Sequence, residues 1–186
     1  MEPVEAQART RPGPGSLDRS LYHAIHGLPH TQLSDRYIAV VSDLGEGLGW
    51  VAAGIAIAWL GGPKGRRAGI ATALASLGTT YVVQRLVKPI FRRQRPFVGR
   101  EILVVGIRPA DASFPSGHTA SSFAAATALS TFYPNVAPLV FGLATLVAAS
   151  RVHLGHHFPS DAGVGALIGI GTGTFTAWLL KLPKFL

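Results

Sequence analysis

Residues 68–87 read AGIATALASLGTTYVVQRLV, which at about 1.5 Å of rise per helical residue is long enough to cross the hydrocarbon core of a bilayer. The only charge in the stretch is Arg85, near its end, and a basic turn of Gly61, Gly62, Pro63, Lys64, Arg66 and Arg67 precedes it. It therefore reads as a membrane-spanning helix. Similar apolar blocks lie on either side. Leu48 to Leu60, with Trp50 and Trp59 near its ends, is short for a span unless the preceding residues extend it. Thr119 to Tyr133, Val136 to Ala149 and Ala162 to Leu180 follow, with Pro134 and Pro138 marking a tight turn.

The expectation is an all-α, polytopic membrane helical bundle of five spans. A sixth would have to lie within Leu17 to Gly45. There Leu21, Ile25 and Leu28 recur near helical spacing, but His23, His26, His30, Asp35 and Asp43 interrupt any hydrocarbon-length run. One or two amphipathic interfacial helices fit that pattern. Met1 to Ser16, rich in proline and glycine with no apolar run, reads as a disordered tail before one domain over 17–186. Gly163, Gly165, Gly169, Gly171 and Gly173, with many Ala, Ser and Thr residues, predict closely packed helices.

Composition agrees. Hydrophobic residues make up 48% of the 186, charged residues only 14%, and mean hydropathy is +0.33, a balance unusual for a soluble domain. Cysteine is absent, which excludes disulfides, zinc–thiolate sites and thiol catalysis. The formal charge is +8, yet seven of the seventeen Lys and Arg residues fall between Arg85 and Arg108 rather than in a run interleaved with aromatics. Anionic headgroups and phosphorylated substrates fit this distribution, and nucleic acid does not.

Chemistry-bearing residues come in clusters. Lys88 to Pro96 (KPIFRRQRP) puts cations at the end of a span and just beyond it, where Lys gives a compact charge and Arg a planar fork for phosphate oxygens. Arg92 and Arg93 read more simply as a basic headgroup flank. Phe114 to Thr119 (FPSGHT) precedes an apolar helix, whose free N–H groups and positive dipole end would let Ser116 and Gly117 cradle an anion beside His118. Ser150 to Asp161 (SRVHLGHHFPSD) places Pro159 at a helix start, with Asp161 in the first turn and close enough to accept a hydrogen bond from His157. His153, His156 and His157 could instead ligate a metal, but the carboxylate is taken by the histidine pair and the arginines repel cations.

With these residues in view, the chain resembles the type 2 phosphatidic acid phosphatase superfamily. Its signature is Lys, six residues, Arg-Pro; then Pro-Ser-Gly-His; then Ser-Arg, five residues, His, three residues, Asp. Lys88 with Arg95 and Pro96, Pro115 to His118, and Ser150 and Arg151 with His157 and Asp161 match it in order and spacing. The resemblance implies a metal-free lipid phosphatase without cofactors. By similarity, His157 is the nucleophile, Asp161 fixes its tautomer, His118 is general acid and then base, and Lys88, Arg95, Arg151, Ser116 and the Gly117 N–H hold the phosphoryl oxygens.

Vanadium haloperoxidases share these motifs but are usually larger and soluble; a non-enzymatic lipid-binding protein would not need His118, His157 and Asp161 together. Composition and length resemble compact actinobacterial members of the superfamily, which makes decaprenylphosphoryl-5-phosphoribose the first substrate expected. A polyprenyl diphosphate comes second, then phosphatidic acid or phosphatidylglycerol phosphate. The excess of arginine around the catalytic loops favours a cytoplasmic active-site face in a plasma-membrane, multi-pass protein, with homo-oligomers compatible.

Overall fold

The computed structural model describes residues 15–99 and 101–182. The tail expected as disordered lies outside them up to residue 14, and Ser16 already belongs to the first helix. Among the described residues all regular structure is helical. Helix α1 is Ser16–His26, α2 Gln32–Leu44, α3 Gly47–Leu60, α4 Gly62–Tyr81, α5 Lys88–Phe91, α6 Gly117–Phe132, α7 Ala137–His153 and α8 Pro159–Lys181.

Local sequence explains most of the boundaries. Thr31 caps α2, its side chain accepting from Ser34 N while the Ser34 hydroxyl accepts from Thr31 N. Pro159 opens α8 and places Asp161 in its first turn, where Asp161 Oδ2 accepts from Phe158 N at 2.8 Å. Between α4 and α5, residues Val82–Val87 widen into a π-helical turn. Pro89 has no N–H, and its ring crowds the carbonyl one turn back, so the helix widens ahead of Lys88 before it resumes as α5.

Helix α6 is the centre of the bundle, touched by α3, α4, α7 and α8. Its close packing with α8 depends on glycine: a Cβ on Gly165, Gly169 or Gly173 would run into the backbone of Ser116, Ala120 or Ala124. The core is correspondingly small-grained, with Ala68, Ala71, Ala75, Ala124, Ala128, Ala144 and Ala177 filled in by Leu129, Phe132 and Val140. Large apolar side chains point outward instead, Trp59 at 85% exposure and Leu167 at 69% among them, an arrangement suited to lipid and not to water.

By length and hydropathy, Pro134–His153 and Pro159–Lys181 can each cross a membrane, and α2 with α3 can do so as one span bent by 60°. The short Leu48 to Leu60 block reaches span length only together with α2, across a break. Helices α4 and α6, expected as spans, do not meet the same measure. The reason lies in their position: α6 has only 16 residues, many of them buried Ser, Thr and Ala, and α4 starts on Lys64, Arg66 and Arg67. A helix surrounded by other helices needs little apolar surface of its own.

Candidate active site

Side chains from the α5 end, the 92–116 loop, the α6 start and the α7–α8 turn gather at one end of the bundle. His157 is buried in that turn at 2% exposure. Arg95 Nη1 donates to His156 O at 2.9 Å and approaches His157 Nε2 at 3.4 Å. Because a guanidinium can only donate, Nε2 presents its lone pair and the ring proton sits on Nδ1. Nδ1 faces Asp161 Oδ2 across 3.7 Å, longer than the hydrogen bond expected from the sequence. Burial, above all, pushes the His157 imidazolium down to about 3; Asp161 opposes this, and Arg95 and Arg151 reinforce it. The ring is neutral at physiological pH, as a nitrogen nucleophile must be.

Asp161 is fully buried and held from several sides. Ser113 Oγ donates to Oδ2 at 2.5 Å and Arg93 Nη1 to Oδ1 at 2.6 Å. Arg93 also binds Asp18 of α1 through Nη2 at 2.6 Å, and stands over the Phe158 ring. Its sequence reading as a headgroup flank is therefore corrected: the guanidinium turns inward and ties α1, the loop and α8 together.

The cations expected to bind phosphate lie together. Lys88 Nζ and Arg95 Nη2 both donate to the Asp111 carboxylate, the latter at 2.6 Å, and Arg95 Nε donates to Asp111 O at 3.0 Å. Burial raises the Asp111 carboxyl, but Lys88 and Arg95 outweigh it and hold the group at about 2. Arg151, 5% exposed, donates through Nη1 to Ser42 Oγ of α2 at 2.8 Å, while its Nε meets no acceptor. Lys88, Arg95 and Arg151 are near enough to repel one another, and Arg151 and His157 act electrostatically on His118, on the first turn of α6. Three converging cations form a cluster that favours an anion of multiple charge.

Ser116 and Gly117 occupy the α6 N-terminus beside them. Ser116 N donates to Asp161 O at 3.0 Å, joining the α6 and α8 starts, and its hydroxyl caps its own helix through Thr119. The α7–α8 turn needs Gly155, whose φ of +81° suits glycine and whose Cβ would meet Leu103 O at 2.7 Å. Beside it, His156 Nε2 donates to Val105 O at 2.8 Å; burial and Arg151 bring its imidazolium down to about 4.

A family model for the PAP2 superfamily matches residues 69–183. The chain belongs to the PAP2 superfamily. Among its PAP2 relatives, undecaprenyl-diphosphatase BcrC of Bacillus subtilis is 31% identical, over 82% of this chain and 78% of the relative. Decaprenylphosphoryl-5-phosphoribose phosphatase of Mycobacterium tuberculosis is 35% identical over 60% of each chain. The crystal structure of Aquifex aeolicus LpxE superposes with a TM-score of 0.70 at 28% identity, covering 87% of this chain and 95% of that one. A Bacillus subtilis PAP2-type phosphatidylglycerolphosphate phosphatase shares the fold at a TM-score of 0.71 and 20% identity, covering 92% and 88%. The PAP2 fold and the outward apolar surface make this a membrane protein.

Several site residues were not read from the sequence. Asp111 and Ser113 sit in a loop with no periodic signal, and Asp18 and Ser42 belong to the N-terminal helices, far along the chain from their partners. Arg93 lay inside a recognised cluster, but nothing in the sequence indicates its direction.

Proposed function

We propose that the chain is a membrane-embedded phosphatase acting on a lipid-linked phosphate through a phosphohistidine at His157. The observation that carries this reading is the buried, neutral imidazole whose Nε2 lone pair faces Arg95 while Nδ1 faces Asp161. His157 Nε2 attacks phosphorus as the bond to the leaving oxygen breaks, and His118, which takes up a proton once the phosphate dianion offsets the neighbouring cations, gives that oxygen its proton. Water then attacks the phosphorus, His118 takes a proton from it, and the P–N bond breaks to release inorganic phosphate. Lys88, Arg95 and Arg151, with Ser116 and the Gly117 N–H, hold the non-bridging oxygens and supply the positive charge that a metal ion gives other phosphatases.

An apolar cavity of about 420 Å³ between α1–α2 and α7 supports a lipid substrate; Ile38, Val41 and Leu146 line it, and so does Ser150, next to Arg151. The names of the relatives support a polyprenyl carrier. The phosphate monoester of decaprenylphosphoryl-5-phosphoribose is the first substrate proposed. A polyprenyl diphosphate is the second, favoured by the broader match to the undecaprenyl-diphosphatase. The bundle is read as five spans, or six, in the plasma membrane, with the catalytic loops on the cytoplasmic face.

The test is phosphate release by the purified chain from both lipids side by side, with His157→Ala as control. Release from neither lipid by the wild type, or equal release by the variant, would overturn the reading, and vanadate-dependent halide oxidation would point to haloperoxidase chemistry instead.

A further inference from the structure

Outside the phosphate pocket, a second polar cluster joins the N-terminal helices to α7. His30 lies in the turn between α1 and α2, Asp35 on the first turn of α2, and His153 is the last residue of α7. His30 Nδ1 is 2.9 Å from Asp35 Oδ1, and His153 Nε2 is 3.5 Å from the same oxygen. All three ligand-capable atoms lie within 4.8 Å of one another.

The outer nitrogens of both rings are already committed. His30 Nε2 meets His26 O at 2.9 Å, and His153 Nδ1 meets Ile25 O at 3.2 Å. A carbonyl oxygen accepts only, so each of these nitrogens carries a proton, while the inner His30 Nδ1 meets Asp35 Oδ1 at hydrogen-bond distance, where a metal ion would take the place of the shared proton. That is the outer-shell pattern of metal-ligating histidines: one nitrogen donates to a backbone carbonyl and fixes the tautomer, leaving the other for the ion. His153 Nε2 makes the case sharper. The residue is 7% exposed, and this nitrogen has no hydrogen-bond partner. A lone pair facing a carboxylate at 3.5 Å is unfavourable unless a proton or a metal ion lies between them.

We propose that His30, Asp35 and His153 bind one Zn²⁺-class divalent ion, which staples α1–α2 to the end of α7. Ligand bonds of about 2.0–2.1 Å at tetrahedral angles space the ligand atoms about 3.3 Å apart, and the two separations from Asp35 bracket that value. Two imidazoles and one carboxylate suit zinc and its first-row neighbours, whereas calcium and magnesium prefer all-oxygen sites. The rings stack nearly parallel at 4.2 Å, so the ion turns each of them out of the stack as it binds. Side-chain exposures of 17% for His30 and 14% for Asp35 leave a way in from solvent.

The site takes no part in phosphoryl transfer. Its effect runs through position: α2 also carries Ser42, the partner of Arg151 Nη1, and His153 precedes His157 by four residues across the Gly155 turn. The inference rests on this geometry and not on the phosphatase reading.

The experiment uses the full chain, purified in detergent, treated with chelator and passed through a desalting column. Zn²⁺ is added and retained metal is counted by mass spectrometry; Co²⁺ is added separately and its visible absorption recorded. We expect one equivalent of zinc per chain, a tetrahedral-type cobalt spectrum and a zinc-dependent rise in melting temperature. His30→Gln and Asp35→Asn lose all three signals, while His157→Ala and the exposed-residue variant His23→Gln keep them. Absence of retained zinc and of a cobalt spectrum in the wild type overturns the proposal, and needs no variant to fold. So does zinc retained by His30→Gln and Asp35→Asn, or lost in His157→Ala. A melting temperature that moves with pH but not with zinc assigns the cluster to a shared proton and overturns it equally.

Discussion

Arg93 Nη1 lies 2.6 Å from Asp161 Oδ1, so the carboxylate behind the proposed nucleophile is anchored by an arginine that is itself bound to Asp18 of the first helix. Breaking a buried ion pair from one side leaves an uncompensated charge and costs about 3–5 kcal/mol. Arg93→Gln is expected to lower the melting temperature by several degrees and kcat by at least tenfold, with KM for the lipid changing less. Arg93→Lys, which keeps the charge but not the fork, should restore part of the stability and little of kcat. Thermal melts with steady-state kinetics separate these effects; full recovery of kcat in Arg93→Lys would show that geometry is not what Arg93 supplies.

Asp111 occupies the donors that the proposed substrate needs. Its carboxylate takes hydrogen bonds from Lys88 and Arg95, both expected to hold phosphoryl oxygens. An incoming phosphate dianion must therefore displace or share this partner. Asp111→Asn removes the competing charge and keeps the shape, and inhibition by inorganic phosphate or vanadate should tighten about tenfold, equivalent to about 1.4 kcal/mol. Asp111→Ala, which frees Arg95 from its side-chain anchor, should gain less. Competitive inhibition constants for the three proteins check the order.

How much of this was legible in the sequence depends on distance along the chain. Lys88 to Arg95, Ser116 to His118 and His157 to Asp161 each sit within one local segment, where spacing and helix starts carry the signal. The contacts that join the segments do not. Ser113 reaches Asp161 across 48 positions and Arg151 reaches Ser42 across 109, and neither serine stands out by type or periodicity. The bundle was legible from its apolar blocks. The central place of α6 was not, because a helix lined by Ala, Ser and Thr owes its character to neighbours that the sequence does not locate.

Acid should destabilise the site in a defined window. Burial brings His156 down to about 4 and His157 to about 3, against about 6.5 for a free imidazole. Both folded values lie below the unfolded one, so the unfolded chain binds more protons below pH about 6.5, and stability must fall with pH. Their contribution is complete above pH about 6.5 and is lost progressively as pH falls towards the folded values. Asp111, held at about 2, loses its contribution only below the ordinary carboxylate range. Melting temperature should thus decline from pH 6.5 to pH 4, and His156→Gln should flatten part of that slope. A wild-type melting temperature that rises over this interval would contradict the burial of neutral imidazoles.

The α6–α8 interface offers a test in which neighbouring glycines serve as each other's control. A Cβ on Gly169 would strike the backbone of Ala120, while one on Gly171 meets nothing within 4 Å. Gly169→Ala should cost about 1–3 kcal/mol through overpacking and shift the α6 start that carries Ser116 and His118. Gly171→Ala should be neutral or slightly stabilising, since alanine restricts the unfolded chain and favours the helix. Melting in detergent and phosphate release from a short-chain, water-soluble phosphate report the two effects. Loss of stability in both variants alike would mean that α8 does not rest on α6 through this face.

The apolar cavity can be tested apart from the chemistry. Val41 and Leu146 line it from opposite helices, α2 and α7. If a lipid tail lies there, Leu146→Trp fills the space and raises KM for a polyprenyl substrate at least tenfold, through lost burial of apolar surface. Turnover of a short-chain phosphate, which has no tail to place, should change by less than twofold. Ala149 lines the same cavity a turn further along α7, nearer Arg151, so Ala149→Phe should affect long-chain substrates in the same sense. Equal losses on long and short substrates would indicate a packing defect that reaches Arg151, and would remove the cavity from the substrate path.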